Sequence, residues 1–437
     1  CSGARLTGTG TDTAGDALVA DRMKVGGDVL LDGGFTAAGT VRLAGADITG
    51  QLNCRGARLT GTGTDTAGDA LVADTMKVGG DVLLDGGFTA AGTVRLAGAD
   101  ITGQLNCRGA RLTGTGTDTA GDALVADTMK VGGDVLLDGK FTAAGTVGLS
   151  GARVVGSLIL EGAELTGPVA LSAPGLQVTG ELRWCPRSPV RGLVDLDHAG
   201  VHRLVDDWHN PDAHWPPRGQ LVLDGFTYDG FGGQHQADWG HRLGWIRRQR
   251  PANPGAAGAG TVPTQPYEQL AGVYRRNGQE AEAQEIAIAQ RNDLRDAGGL
   301  TWPRWISSFV LDKTIKHGYR PLRAVGLLTA LYVVVALAFT FAQHQPGVMV
   351  PAKNTAAVTA APTALHCRPG YPCFYPAGYA LDVVVPIIKV GQAENWRPDD
   401  TAPWGWAYLA GSWLATGLGW ALTTLAVVGY TGLVRKQ

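Results

Sequence analysis

The chain has 437 residues, 65 of them glycine, and a formal net charge of −2. Glycine at roughly 15% is about twice the usual share, yet no Gly-X-Y period accompanies it, so collagen is excluded, and 44% apolar against 17% charged residues excludes a disordered chain. The near-neutral charge argues against a nucleic-acid binder, and six cysteines in so long a chain do not make a disulfide-stapled miniprotein.

The first element is a repeat. Cys1–Asn53 returns as Cys54–Asn106 with two substitutions, Ser2 to Arg55 and Arg22 to Thr75, and a third copy from Cys107 drifts after Thr146. Within this 53-residue period lies an eleven-residue frame. Gly39–Thr49 is followed directly by Gly50–Thr60, each with glycine first, apolar residues third, fifth and tenth, and alanine eighth. Looser copies occupy Gly68–Val78 and Gly80–Ala90 beside the insert Gly61–Ala67, and the frame continues at Gly145–Val155, Gly156–Thr166, Gly192–His202 and Gly219–Asp229. Alternation closed by a glycine corner is a strand signal, and a strand this short buries a face only by stacking on copies of itself. The expected fold is therefore mainly β, with a β-solenoid over 1–230, two elevens per coil, and nine or ten coils about 4.8 Å apart. Pentapeptide-repeat and bactofilin-like helices are the nearest architectures, though the spacing suits neither fully. The sequence opens inside a repeat, so further coils are expected before Cys1. A lipoprotein start at Cys1 is outweighed because Cys54 and Cys107 hold the same place in the repeat.

Residues 231–266, ending in the Gly, Ala and Pro-rich Pro251–Pro266, read as a linker. Tyr267–Gly278 and Gln279–Ala297 predict an αα-hairpin resembling one tetratricopeptide unit, and with a juxtamembrane helix this region fills 267–320. One such unit is too short for a peptide groove, so packing or oligomer contact is its expected role. Ala324–Ala342 is uncharged and long enough, at about 28 Å, to cross the hydrocarbon core. Thr401–Val434 is longer and also uncharged. Together they predict a two-helix transmembrane domain over 321–437 with an outer loop at 343–400. Arg304, Lys313, Lys316, Arg320 and Arg323 before the first span, and Arg435 and Lys436 after the second, place both termini in the cytoplasm of a multi-pass plasma-membrane protein.

In the outer segment, Cys367 and Cys373 are the candidate disulfide. Ala380–Gly391 is too short to span, and Pro386 interrupts a straight helix, so an interfacial or re-entrant piece is expected. Asp382, Pro386, Lys389 and Gln392 are its candidate channel-like residues. Gly411, Ala415 and Gly419 form a small-residue stripe suited either to a homo-oligomer or to packing on the first span.

Other constellations read as structural. Six of nine histidines fall between His198 and His241 among Asp195, Asp197, Asp206 and Asp207, but the frame puts His198 and His202 at solvent-facing corners, against a metal site. The repeat cysteines fall at the buried fifth position. Gly61–Gly68 lacks the third glycine of a dinucleotide fingerprint. Asp28, Asp81 and Asp134 could ladder to bind cations or could serve solubility. No catalytic, cofactor-binding or metal-ligating residue is assigned, and no cofactor is expected. The expected partners are the lipid bilayer and further copies of the chain rather than nucleic acid.

Leu223–Tyr228, Pro266–Arg276, Ile286–Arg291, His317–Pro321, Tyr379–Gln392 and Gly419–Lys436 resemble actinobacterial membrane-associated proteins commonly labelled membrane-associated oxidoreductases. The resemblance covers most of 180–437 and implies an oxidoreductase by label, with no catalytic residues to carry over. The residues themselves favour a membrane-tethered cytoplasmic solenoid that scaffolds, assembles or senses without catalysis. The alternatives are an oligomeric channel-like protein gated by the solenoid, and the labelled oxidoreductase.

Overall fold

The computed structural model describes residues 1–8, 15–61, 68–114, 121–207, 214–233, 238–249, 262–297, 322–345, 347–352, 371–385 and 387–430. They fall into two compact units, Cys1–Gly299 and Leu300–Gln437.

The first unit is a β-solenoid with four short strands per coil. One coil runs through Thr36–Ala38, Thr40–Arg42, Asp47–Ile48 and Leu52–Asn53. Every pairing between coils is parallel, giving one side of seven strands and one of nine. The third and fourth sides merge into a single fifteen-stranded sheet, because Gln177–Trp184 and Gly200–Asp206 run straight across their shared corner. Nine layers separated by about 4.8 Å give a stack about 38 Å long. Successive coils advance by 23 and 30 residues in turn, as the column Lys24, Asp47, Lys77, Asp100, Lys130 records. The extra residues of the longer coils are the insert. Arg58–Thr60 and Asp69–Val72 flank it, whereas Gly92 alone joins Thr89–Ala91 to Thr93–Arg95.

The frame predicts the core well. Val41, Leu43, Ala46 and Ile48, then Leu52, Cys54, Ala57 and Leu59, are all at most 2% exposed. The reason for the long period lies in the columns. Phe35, Ala57, Phe88, Ala110, Phe141 and Ala163 succeed one another in adjacent layers. Leu59, Ala90, Leu112, Ala143 and Leu165 do the same. A large side chain in one layer thus meets a small one in the next, and close packing requires two different coils before the pattern repeats.

The C-terminal end of the solenoid is closed by helices. The stretch expected as a linker contains α1, Trp239–Ile246, whose Leu243, Trp245 and Ile246 join the solenoid core. The expected hairpin is α2, Gln265–Arg276, and α3, Glu280–Asp296; Tyr267, Leu270, Tyr274, Ala283 and Ile286 bury in the same core. The expected juxtamembrane helix lies outside the described residues.

The second unit contains α4, Leu322–Gln343, then α5, Pro376–Val384, the one-turn α6, Gln392–Asn395, and α7, Gly405–Tyr430. A two-stranded antiparallel ribbon pairs Met349–Pro351 with Trp396–Pro398. Its core gathers Val335, Phe339, Phe374, Tyr379, Val383, Val384, Trp396 and Ala415. Among the described residues one stretch, Ala324–Gln343 of α4, is long and apolar enough to cross a membrane, and only 17% of it is buried. Helix α7 has 26 residues and no charge, but glycine, serine, threonine and tryptophan dilute its apolar content.

Candidate functional site

The polar groups of the solenoid are largely engaged in holding coils together. The Oδ1 atoms of Asp28, Asp81 and Asp134 accept the backbone N–H of Gln51, Gln104 and Ser157 in the next coil, at 2.9, 2.9 and 2.7 Å. They recur once per long period because each caps a donor at the same corner. Gly103 shows how tight that corner is, because a Cβ there would run into the Asp81 carboxylate and the Gly80 carbonyl. Asp21 and Asp74 act likewise on Ala44 and Ala97 N–H, and also take Arg42 and Arg95 Nε at 3.1 and 3.0 Å. The exposed Lys24–Asp47–Lys77–Asp100–Lys130 column sets opposite charges side by side at strand spacing. That column escapes sequence reading because its members lie 23 or 30 residues apart.

Cys54 and Cys107 are buried free thiols. Burial, with Asp32 second, pushes the Cys54 thiol up to about 12, and burial also raises Cys107. Leu84 lies between them in the column, so they stand two layers apart, about 9.6 Å, too far for a disulfide. His198 and His202 do sit at exposed positions, beside Asp197 at 3.0 Å and Asp229 at 2.9 Å. Among the described residues no three metal-binding side chains gather.

At the capped end, Asp206 is a buried carboxylate. Arg242 of α1 grips it through two hydrogen bonds of 2.9 and 2.8 Å, and Trp215 Nε1 donates to it at 2.9 Å. The Arg242 guanidinium also lies 3.9 Å over the Phe231 ring. Helix α2 covers the last solenoid strand, Thr227–Phe231, with polar side chains: Gln265 donates to Phe226 O, Gln269 to Tyr228 O, and Arg276 to Tyr228 O and Asp229 O. These bonds satisfy carbonyls that an open sheet edge would leave bare. The hairpin is a cap, in keeping with its expected packing role.

The channel-like residues occupy a different setting, in the second unit. Helix α5 packs against both long helices. The Tyr379 ring lies 4.5 Å from Phe339 of α4, which is itself 5.9 Å from Tyr408 near the start of α7. Five residues further, the Val384 carbonyl meets Gly419, the fifteenth of the 26 residues of α7, so closely that a Cβ at Gly419 would collide with it. Gly419 is thus used within the chain, Ala415 is buried, and Gly411 has open space around it. The chain then comes back. Gly378, near the root of α5, faces Val390 and Gln392; the buried Gln392 accepts Tyr375 N–H at 3.0 Å and donates to Cys373 O at 3.3 Å. Asp382 clasps the returning limb by accepting the N–H groups of Val390 and, at 3.0 Å, Ala393. The limb itself is exposed: Ile387 72%, Ile388 45% and Val390 54%, with Lys389 exposed among them.

Asp382 and Gln392 therefore hold this turn shut, Lys389 is exposed on its returning side, and Pro386 lies outside the described residues. Cys373 is disulfide-bonded, while Cys367, its expected partner, lies outside the described residues. Beside α5, an apolar groove of about 630 Å³ runs between α4 and α7, lined by Leu331, Val335, Ala338, Tyr408, Gly411 and Leu418 among others. Comparison with protein-family models, with curated proteins and with solved structures yields no match.

Proposed function

We propose that this chain is a membrane-anchored β-solenoid that serves as an assembly scaffold without catalysis of its own. The observation that carries the reading is the contrast between the two units. The solenoid spends its inward side chains on packing and much of its carboxylate set on joining coils. Helix α4 leaves most of its apolar surface uncovered, including Val333, Val334, Leu337 and Phe341. A soluble protein buries such a helix, and lipid covers it equally well. In this reading α4 and α7 both cross the bilayer, and the basic residues flanking them hold the solenoid on the cytoplasmic face of the plasma membrane. The outward Arg5, Arg58 and Arg111 column, interleaved with Thr36, Thr89 and Thr142, offers a regular surface for partners or further copies. Alkaline carbonate extraction of cells expressing the chain tests the anchor. The full chain stays with the membrane; release of the unaltered chain overturns the reading.

A second reading, a channel-like oligomer, is favoured by one observation: between the two long helices, α5 reaches the middle of α7 and the chain turns back. Ion flux through vesicles reconstituted with the purified chain tests it. The resemblance brings no catalytic residues to carry over for the labelled oxidoreductase, and a visible absorption band in the protein purified in mild detergent would favour that reading.

A further inference from the structure

The outer face of α7 carries a pattern of its own, and what covers it follows once α4 and α7 are taken to cross the bilayer; the inference rests on that reading. Helix α7 buries Gly405, Ser412, Ala415 and Gly419 within its unit. At about 100° per residue, Trp413 and Gly417 stand on the side opposite Ala415, and Trp406, Ala410, Trp420 and Thr424 fall in line with them. All six are exposed, the tryptophans by 63%, 69% and 57% in chain order. Continued to the exposed Val427, the line advances by four and three residues in turn, the 3.5-residue period at which one helix meets another. Large tryptophans alternate along it with alanine, glycine and threonine. The exposed side of α4 is different: Val325, Leu327, Val333, Val334 and Leu337 are aliphatic and suit lipid. Membrane tryptophans settle at the headgroup level. Asp400 and Arg435 bracket the uncharged stretch of α7, so its centre falls between Gly417 and Leu418, with Trp413 and Trp420 within about 7 Å of it. A lipid-facing indole at that depth has its N–H in hydrocarbon, and a helix packed over it removes it from lipid.

We propose that α7 pairs with α7 of a second copy of this chain, parallel and in register, each tryptophan seating between small residues of the other helix. The occupant is identified by self-complementarity. One line supplies both the knobs, Trp406, Trp413 and Trp420, and the room for them at Ala410, Gly417 and Thr424, and the basic flanks give every copy the same orientation. The three tryptophans with Leu414 and Val427 expose roughly 600 Å² per copy, so pairing covers about 1,200 Å², the lower end of stable interfaces.

The test uses the full chain in lipid vesicles, with Cys1 and Cys185 replaced by serine. One cysteine is then placed by Ala410→Cys, Gly417→Cys or Thr424→Cys in the line, by Leu418→Cys in the groove beside α4, or by Val334→Cys on α4. Under a mild oxidant the expected result is a covalent dimer from positions 410, 417 and 424 and none from 418 or 334. Ala410→Leu with Gly417→Leu fills the room for the tryptophans and abolishes the dimer at 424. Carbonate extraction reports the anchor separately. Membrane-bound chain that gives no dimer at 410, 417 and 424, or gives it equally at 334, overturns the pairing and leaves the anchor standing. Release of the unaltered chain by carbonate overturns the anchor and the pairing with it.

Discussion

Asp74 shows how much of this fold depends on single side chains that cross from one coil to the next. Asp74→Ala removes the acceptor of the Ala97 N–H and leaves Arg95 with the longer contact to Asp69 at 4.0 Å, a loss of about 1–3 kcal/mol that chemical denaturation would register. Lys140 makes an internal comparison available. It holds φ +74°, where the two preceding copies have Gly34 and Gly87 at φ +87° and +89°. A side chain in that left-handed conformation costs about 1–2 kcal/mol, and glycine gives back about 0.5–1 in chain entropy, so Lys140→Gly is expected to stabilise by about 0.5–1 kcal/mol. The buried thiols set a pH dependence. Cys54 is raised from 9.0 to about 12, so from pH 9 upward the unfolded chain loses a proton that the folded chain keeps. Stability attributable to this group is complete below pH 9 and falls between 9 and 12. Denaturation at about pH 8 and about pH 10.5 is expected to show a smaller drop in Cys54→Val than in the unaltered chain.

The coil is the next scale, and its alternating columns make a sharp prediction. Phe88→Ala leaves a void between Ala57 and Ala110, where neither neighbour can reach across, and is expected to cost about 3–5 kcal/mol in thermal or chemical unfolding. At this scale the fold is partly legible in the sequence. The inward residues Val41, Leu43, Ala46 and Ile48 follow from the eleven-residue frame alone, because alternation and glycine corners are local signals. The reason for the 53-residue period is not local: Phe88 and Ala110 become neighbours only when coils stack. The same limit explains why α1 reads as linker in the sequence, since its pairing with Asp206 joins residues 36 apart through Arg242. Removing that arginine leaves a buried carboxylate with Trp215 as its remaining side-chain donor among the described residues. Arg242→Ala is expected to destabilise the capped end by about 3–5 kcal/mol, with faster amide exchange in Gly200–Asp206 as the readout.

At the scale of the molecule, the candidate segment between the long helices is recognisable by length, since twelve residues are too few to span, and Gly378 facing Val390 and Gln392 gives that limit a shape. The roles within it are not readable from sequence. Asp382 and Gln392 sit ten residues apart, and nothing in their spacing announces that one binds Val390 and Ala393 while the other ties the limb to Tyr375 and Cys373. The two-unit division also moves the boundary: the hairpin belongs with the solenoid it caps, and the second unit begins at Leu300. The account of function depends on where lipid meets that second unit. Electron cryomicroscopy of the full chain in lipid nanodiscs addresses it directly. The account predicts a lipid belt around Ala324–Gln343 and Gly405–Tyr430, with the stacked coils outside it. Particles whose α4 and α7 lie in water clear of the belt would contradict it.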